Sequence, residues 1–453
     1  MIRHHLLAAG FGLLAATGLS APAFAVDLTI TCRCVEGGVN SATAQWIKTS
    51  VIPGFEAEMA AAGRDVSVTL TEFAGADEQL TQQLALDFST GAGADISGFD
   101  GFLIPSFVEA GLLRSFEDLV GDPAINWEGW DHISPGIRSI LSYDGGTYGI
   151  GLGTDVRMLF VRSDLFEEAG LDAASWEPSS WDDVLEAGRA LKEAGIDAPL
   201  QLNAGVSMGE ATTMQGYWMA LLGSGEGVVD EDGRWIVESQ GILDTLNLYK
   251  TIYVDEGLGD QRAQLLADGR NRTFANFRDG RTAMLVEGDW FYRSVTAPGA
   301  EFAVDDRDNV MTWKKMPART PGEGFRGQDH VSISGGTGFV INPNTASPQE
   351  AWEFLAFMMS REQMTAFQDF QPGIRSRSDV PIPNSPFLTE TSQALLPLTT
   401  ARPNDPHYNS VSLEIQRMTE SVVSGELSPE EAMAQYKTAV TAIVGEENTV
   451  SLL

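Results

Sequence analysis

Asp155 and Arg157 stand two residues apart at the head of the apolar run Val156–Val161, so in a strand both side chains fall on one face. A carboxylate beside a guanidinium there either makes charge-assisted hydrogen bonds to the hydroxyls of a bound molecule or forms a structural pair. Asp100, in Gly98-Phe99-Asp100-Gly101, follows the strand-like end Ala94-Asp95-Ile96. Ligands of open α/β sheets sit outside strand carboxyl ends, which makes Asp100 a cleft candidate. The run Gly335-Gly336-Thr337-Gly338 lets backbone come close to another group or turn tightly, and Gly336 and Thr337 there can offer backbone N–H donors. Cys32 and Cys34 flank Arg33 in what reads as a strand. Neighbours two apart on a strand lie near the upper Cα limit for a disulfide, roughly 7 Å, so two buried thiols are expected, with pairing in an oxidising compartment as the alternative.

Other chemistries lack their signatures. There is no Gly-x-x-x-x-Gly-Lys-[Ser/Thr] loop, no Gly-x-Ser-x-Gly elbow and no His-Glu-x-x-His helix. Beyond residue 25 the histidines are His132, His330 and His407, without zinc-ligand spacing, so neither a metal nor a cofactor is expected. Carboxylates are abundant, which leaves open a glycosidase pair, two carboxyls roughly 5–10 Å apart across a cleft. The balance of 63 acidic to 29 basic residues, net charge −34, makes nucleic acid a poor partner and anionic membranes a poor surface.

The chain begins with Arg3 in Met1–His5, an apolar run Leu6–Ala16 and Ala23-Phe24-Ala25. This layout predicts a secretory signal over 1–25 with an Ala-x-Ala cleavage site; the apolar run is too short for a bilayer, which needs about 20 residues. What remains is too long for one core, so two domains are expected. Strand-like segments at Leu28–Cys32, Val66–Glu72, Thr147–Leu152, Val156–Val161, Thr282–Val286 and Gly338–Ile341 alternate with helical ones, an α/β pattern. Helix starts are marked at Ser180-Trp181-Asp182-Asp183, Ser347-Pro348-Gln349-Glu350 and Ser428-Pro429-Glu430-Glu431.

Four blocks in chain order carry a resemblance. Tyr148–Asp155 runs into Arg157, Leu159–Leu171 and Trp181-Asp182-Asp183; Phe277–Met284 leads to Gly288-Asp289-Trp290; Gly335–Gly338 precedes a helix from Ser347 to Phe370 and Pro372–Arg375; Gly425 and Ser428–Ala432 open the last helix. Together they resemble the extracellular solute-binding proteins of ABC importers, the carbohydrate-binding group that includes maltose-binding protein. Residues 31–40, with Cys-Arg-Cys, match no block of that family. The resemblance implies a two-lobed periplasmic-binding-protein fold (type II-like) with a multi-segment hinge. One lobe would hold 26–150 plus 318–378 and the other 151–317 plus 379–453, with crossings near Gly149–Gly153, 317–327 and Ser378–Pro386.

It also implies a site between the lobes. Sugars present rings of hydroxyls over C–H faces, so such a site wants aromatic planes and bidentate hydrogen-bonding groups. Trp290 matches the position where the family commonly stacks an aromatic on sugar, with packing as the alternative. Tyr217 and Trp218 lie where relatives often supply another, with a helix-core role as the alternative. Asp155 and Arg157 follow the first crossing. Arg375 matches an arginine found beside the cleft in many relatives; Asp100, Gly336, Thr337, Tyr408 and Glu36 complete the candidate set. The implied function is a monomeric, non-enzymatic periplasmic receptor that passes a mono- or oligosaccharide to a membrane permease. The alternatives are the same scaffold with a sugar acid, polyol or glycerophosphodiester, and a secreted carbohydrate hydrolase.

Overall fold

The computed structural model describes residues 25–38, 40–382 and 385–453; the expected signal segment, but for Ala25, lies outside them. Two sheets organise the molecule. The first runs Val66–Glu72, Val26–Cys32, Ile96–Asp100, Thr337–Ile341, Gly149–Gly151, the first three parallel and the last two joined antiparallel. The second runs Met311–Lys314, Arg157–Arg162, Met284–Gly288, Leu200–Gln201. Arg157–Arg162 is buried at every position, as a strand covered on both faces must be. The Val66–Glu72 strand lies at an edge and alternates buried with exposed residues.

Each sheet has its own core. Ile30, Ile96, Phe339 and Ile341 pack with Trp46, Trp352, Phe354 and Phe367 on the first; the Trp46 and Phe367 rings stack at 4.2 Å. Leu159, Val161 and Val286 pack with Tyr217, Trp218, Tyr249 and Tyr408 on the second. The fold is two-lobed α/β, and among the described residues no helix is long and apolar enough to cross a membrane.

The chain passes between the sheets at 152–156 and at 334–336. Val380 still packs with the first sheet's core and Phe387 with Phe160 of the second. Residues 318–333 pack differently from the expected division, which put 318 onward with the first sheet. Met316–Pro317 pairs with His330–Val331, Val331 and Ile333 enter the second sheet's core, and the Arg319 amide donates to the Gly223 carbonyl at 2.8 Å. The first passage is bonded to a segment that precedes the last one, Ile374–Arg375 running antiparallel to Gly153–Thr154. Gly153 is required there, because a Cβ would lie 2.2 Å from the Ile374 carbonyl oxygen.

Local signals explain several helix starts. Ser180 and Ser428 form reciprocal capping boxes with Asp183 and Glu431, satisfying amides that a helix start leaves without partners. The expected helix from Ser347 to Phe370 is two, Pro348–Met358 and Arg361–Phe370. Ser360 caps the second by accepting from the Gln363 amide, while Ser347 makes no side-chain cap. A second correction concerns the cysteines. Cys32 and Cys34 are disulfide-bonded, with Cα atoms 5.2 Å apart. The strand ends at Cys32 and the chain bends at Arg33, the Cys34 amide donating to the Cys32 carbonyl at 2.7 Å, so the extended geometry behind the expectation of free thiols does not apply.

Candidate binding site

The Met284–Gly288 strand delivers Trp290 to the region between the sheets. The Asp289 amide donates to the Val156 carbonyl at 3.0 Å, fixing the turn. The Trp290 ring lies across Gly288, where a Cβ would stand 2.0 Å from it, so only glycine leaves room for the ring. Trp290 is half-buried, and the Arg157 guanidinium sits 5.0 Å from its ring centroid, within cation–π range.

Asp155 and Arg157 adopt the second of their two expected roles. Arg157 is buried and donates to Asp155 Oδ1 at 2.5 Å, to the Ile333 carbonyl at 3.1 Å and to Gln215 Oε1 at 3.3 Å. Asp155 Oδ1 also accepts from the Gly335 amide at 2.9 Å. The pair ties one passage to another and backs the Trp290 ring, with Arg157 Nε and Nη1 both engaged within the protein.

Beside Trp290, Asp289 is fully buried. Its Oδ1 accepts from Arg293 Nε at 3.2 Å and its Oδ2 has no hydrogen-bond partner. Burial pushes its carboxyl above the ordinary range against the pull of Arg293. Arg375 lies 3.8 Å over the Phe367 ring and donates to Gln368 Oε1 at 3.1 Å and to the Gln371 carbonyl. Burial lowers its pKa to about 9, with Arg293 acting in the same direction and Asp289 against it. Among the described residues no carboxylate forms an ion pair with Arg375.

A second charged group lies at the end of Ile96–Asp100. Arg402 donates to Asp100 Oδ1 at 2.9 Å and to Glu210 Oε1 at 3.3 Å, with its guanidinium 4.3 Å over Phe102. Glu210 also accepts from the Tyr408 hydroxyl at 2.5 Å and from Ser412 Oγ at 2.7 Å. Tyr408 is buried with its hydroxyl engaged, so its place in the candidate set is corrected from ligand contact to support of Glu210. Gly336 is buried and its carbonyl accepts from the Gly101 amide at 3.1 Å; Thr337, paired with Asp100, is exposed.

Three candidates lie elsewhere. Tyr217 and Trp218 are 1% and 3% exposed in the second sheet's core, held there because the whole Thr212–Gly223 helical stretch is buried; the expectation that they meet a ligand is corrected. Glu36 sits at the outer edge of the first sheet, exposed and paired with Lys48 at 3.2 Å. Sequence reasoning missed Asp289, Arg293, Glu210 and Arg402. Asp289 lay inside the Gly-Asp-Trp block, whereas no local pattern marks Arg402, whose partners are hundreds of residues away. One outcome follows: Trp218→Phe should leave ligand affinity within twofold by calorimetry, while Trp218→Ala should lower stability by about 3–5 kcal/mol in denaturant unfolding.

The molecule is two-lobed α/β, with an aromatic plane and charged groups between its sheets. The chain belongs to the bacterial extracellular solute-binding protein family, whose model matches residues 48–365. It is 24% identical over 372 residues, 81% of this chain and 83% of the other, to a binding protein of Brucella abortus. It is 26% identical over 294 residues, 63% of this chain and 59% of the other, to the arabinooligosaccharide-binding protein of Halalkalibacterium halodurans. The fold matches that of an ABC transporter solute-binding protein from Thermotoga lettingae bound with α-D-tagatose, with a TM-score of 0.74 and 24% identity over 93% of this chain and 100% of that one.

Proposed function

We propose that this protein is the exported, periplasmic receptor of an ABC importer, that it captures a mono- or oligosaccharide between its lobes, and that it passes it unchanged to a membrane permease. The reading rests chiefly on Trp290, a half-buried aromatic plane held across Gly288 beside the passages between the sheets. With it, Arg375, Asp100 and Thr337 supply the charged and hydroxyl groups that sugar hydroxyls need. Family membership and the arabinooligosaccharide and tagatose relatives support the substrate class. The lobes we assign are 26–151 plus 337–380 and 157–333 plus 387–453, following the packing of each segment, with Ile374 of the first packing across onto the second. Residues 1–25 act as the cleaved signal.

Arg375, without a carboxylate partner among the described residues, favours an acidic sugar as the second reading. A thermal-shift screen against neutral and acidic saccharides, followed by calorimetry, separates the two. At 100 times its dissociation constant the true ligand should stabilise the protein by about 2.7 kcal/mol. Recovery of that saccharide intact after prolonged incubation is expected; release of shorter products would establish a hydrolase instead.

A further inference from the structure

We infer that Arg402 is the positioning residue that sets how readily the two halves close, because its one guanidinium is held by a carboxylate from each. This rests on the receptor reading for its purpose, though not for its geometry. One donor goes to Asp100, at the end of a first-sheet strand, and another to Glu210, which leads into the Thr212–Gly223 stretch packed on the second sheet. The side chain is only 9% exposed, and Tyr408 and Ser412 fix Glu210 from behind. The same segment reaches the first half twice more, Asn404 Nδ2 to the Ser142 carbonyl at 3.0 Å and Asn409 Nδ2 to Ser106 Oγ at 3.3 Å.

The charges around this point are unbalanced. Asp77, Asp100, Asp155 and Glu210 all act on Arg402 or on one another; Asp77 is tied to Arg33 and Asp155 to Arg157. Among the described residues Arg402 alone joins Asp100 to Glu210. Without it, two partly buried carboxylates from opposite halves face each other, and like charges so placed repel.

Acidity tunes the same contact. With Arg402 bridging the halves, burial pushes the Asp100 carboxyl up to about 6, overriding Arg402's pull. On opening, the group regains water and an ordinary value of about 3.9. A raised pKa in the closed form means that form binds the proton more tightly. Acidification therefore favours closure, and the effect is lost as pH rises through 6. Between pH 7.5 and 5 the closed form should gain a few-fold in population ratio, water at the third of the Asp100 side chain left exposed damping the effect.

The test is small-angle scattering of the ligand-free protein at both pH values. Arg402→Gln is expected to enlarge the radius of gyration at pH 7.5. Adding Asp100→Asn and Glu210→Gln should return it towards wild type, a rescue that a merely structural arginine would not show. Asp100→Asn alone should match acidified wild type at both pH values. Arg402→Gln with an unchanged profile, or a triple variant no more compact than the single one, overturns the inference. Because no ligand is present, a failed saccharide screen would strike the receptor reading and leave this result standing.

Discussion

Replacing Trp290 by alanine should weaken saccharide binding about 30- to 1,000-fold, the roughly 2–4 kcal/mol carried by a central aromatic anchor. The melting temperature should move little, since the ring is half-buried and stands outside the cores of both sheets. Isothermal calorimetry with the saccharide found by the screen measures the first quantity and thermal unfolding the second. Gly288→Val gives an independent check. Its side chain would occupy the space of the ring, 2.0 Å away at the Cβ, and should reduce affinity by at least tenfold with Trp290 still present. Binding that survives both substitutions would remove Trp290 from the site.

Arg157→Met should act in the opposite way, on stability first. The guanidinium serves Asp155, Gln215 and the Ile333 carbonyl from a buried position. Removing one partner of a buried ion pair costs about 3–5 kcal/mol, because the other charge is left without compensation. Denaturant unfolding should show that loss, lessened when Asp155→Asn is added, since the charge left behind is then gone. Affinity should fall less than in Trp290→Ala, by about the amount that loosening the back of the ring allows. A stable Arg157→Met protein with abolished binding would mean that Arg157 meets the ligand.

The two cases show what was legible in the chain. Val66–Glu72 was read to the residue, and Gly338–Ile341 to within one, because apolar patterning marks strands in any sequence. Ser180 and Ser428 announced their helices because capping is a contact within four residues. The order of the four family blocks carried the two-lobed fold. The site was harder. Asp155 and Arg157 were recognised as a pair, but whether they face a ligand or brace the passages depends on Gln215, Ile333 and Gly335, which only folding brings near. Tyr217 and Trp218 looked like sugar platforms because residue type does not disclose which face of a helix is covered. Arg402 was invisible for the complementary reason: it lies in an irregular stretch, and its partners Asp100 and Glu210 are 302 and 192 residues away. The cysteines misled because a single bend at Arg33 shortens a distance that strand geometry sets too long.

The two halves should close on a saccharide held between them. Spin labels at Leu86, exposed on the helix Asp77–Thr90, and at Arg417, exposed on the helix Tyr408–Val423, report the separation of the two sides. Pulsed electron resonance should give a distance distribution that moves to a shorter, narrower maximum as saccharide is added, saturating at the calorimetric stoichiometry. An unaltered distribution at a concentration where calorimetry shows the site filled would contradict the account.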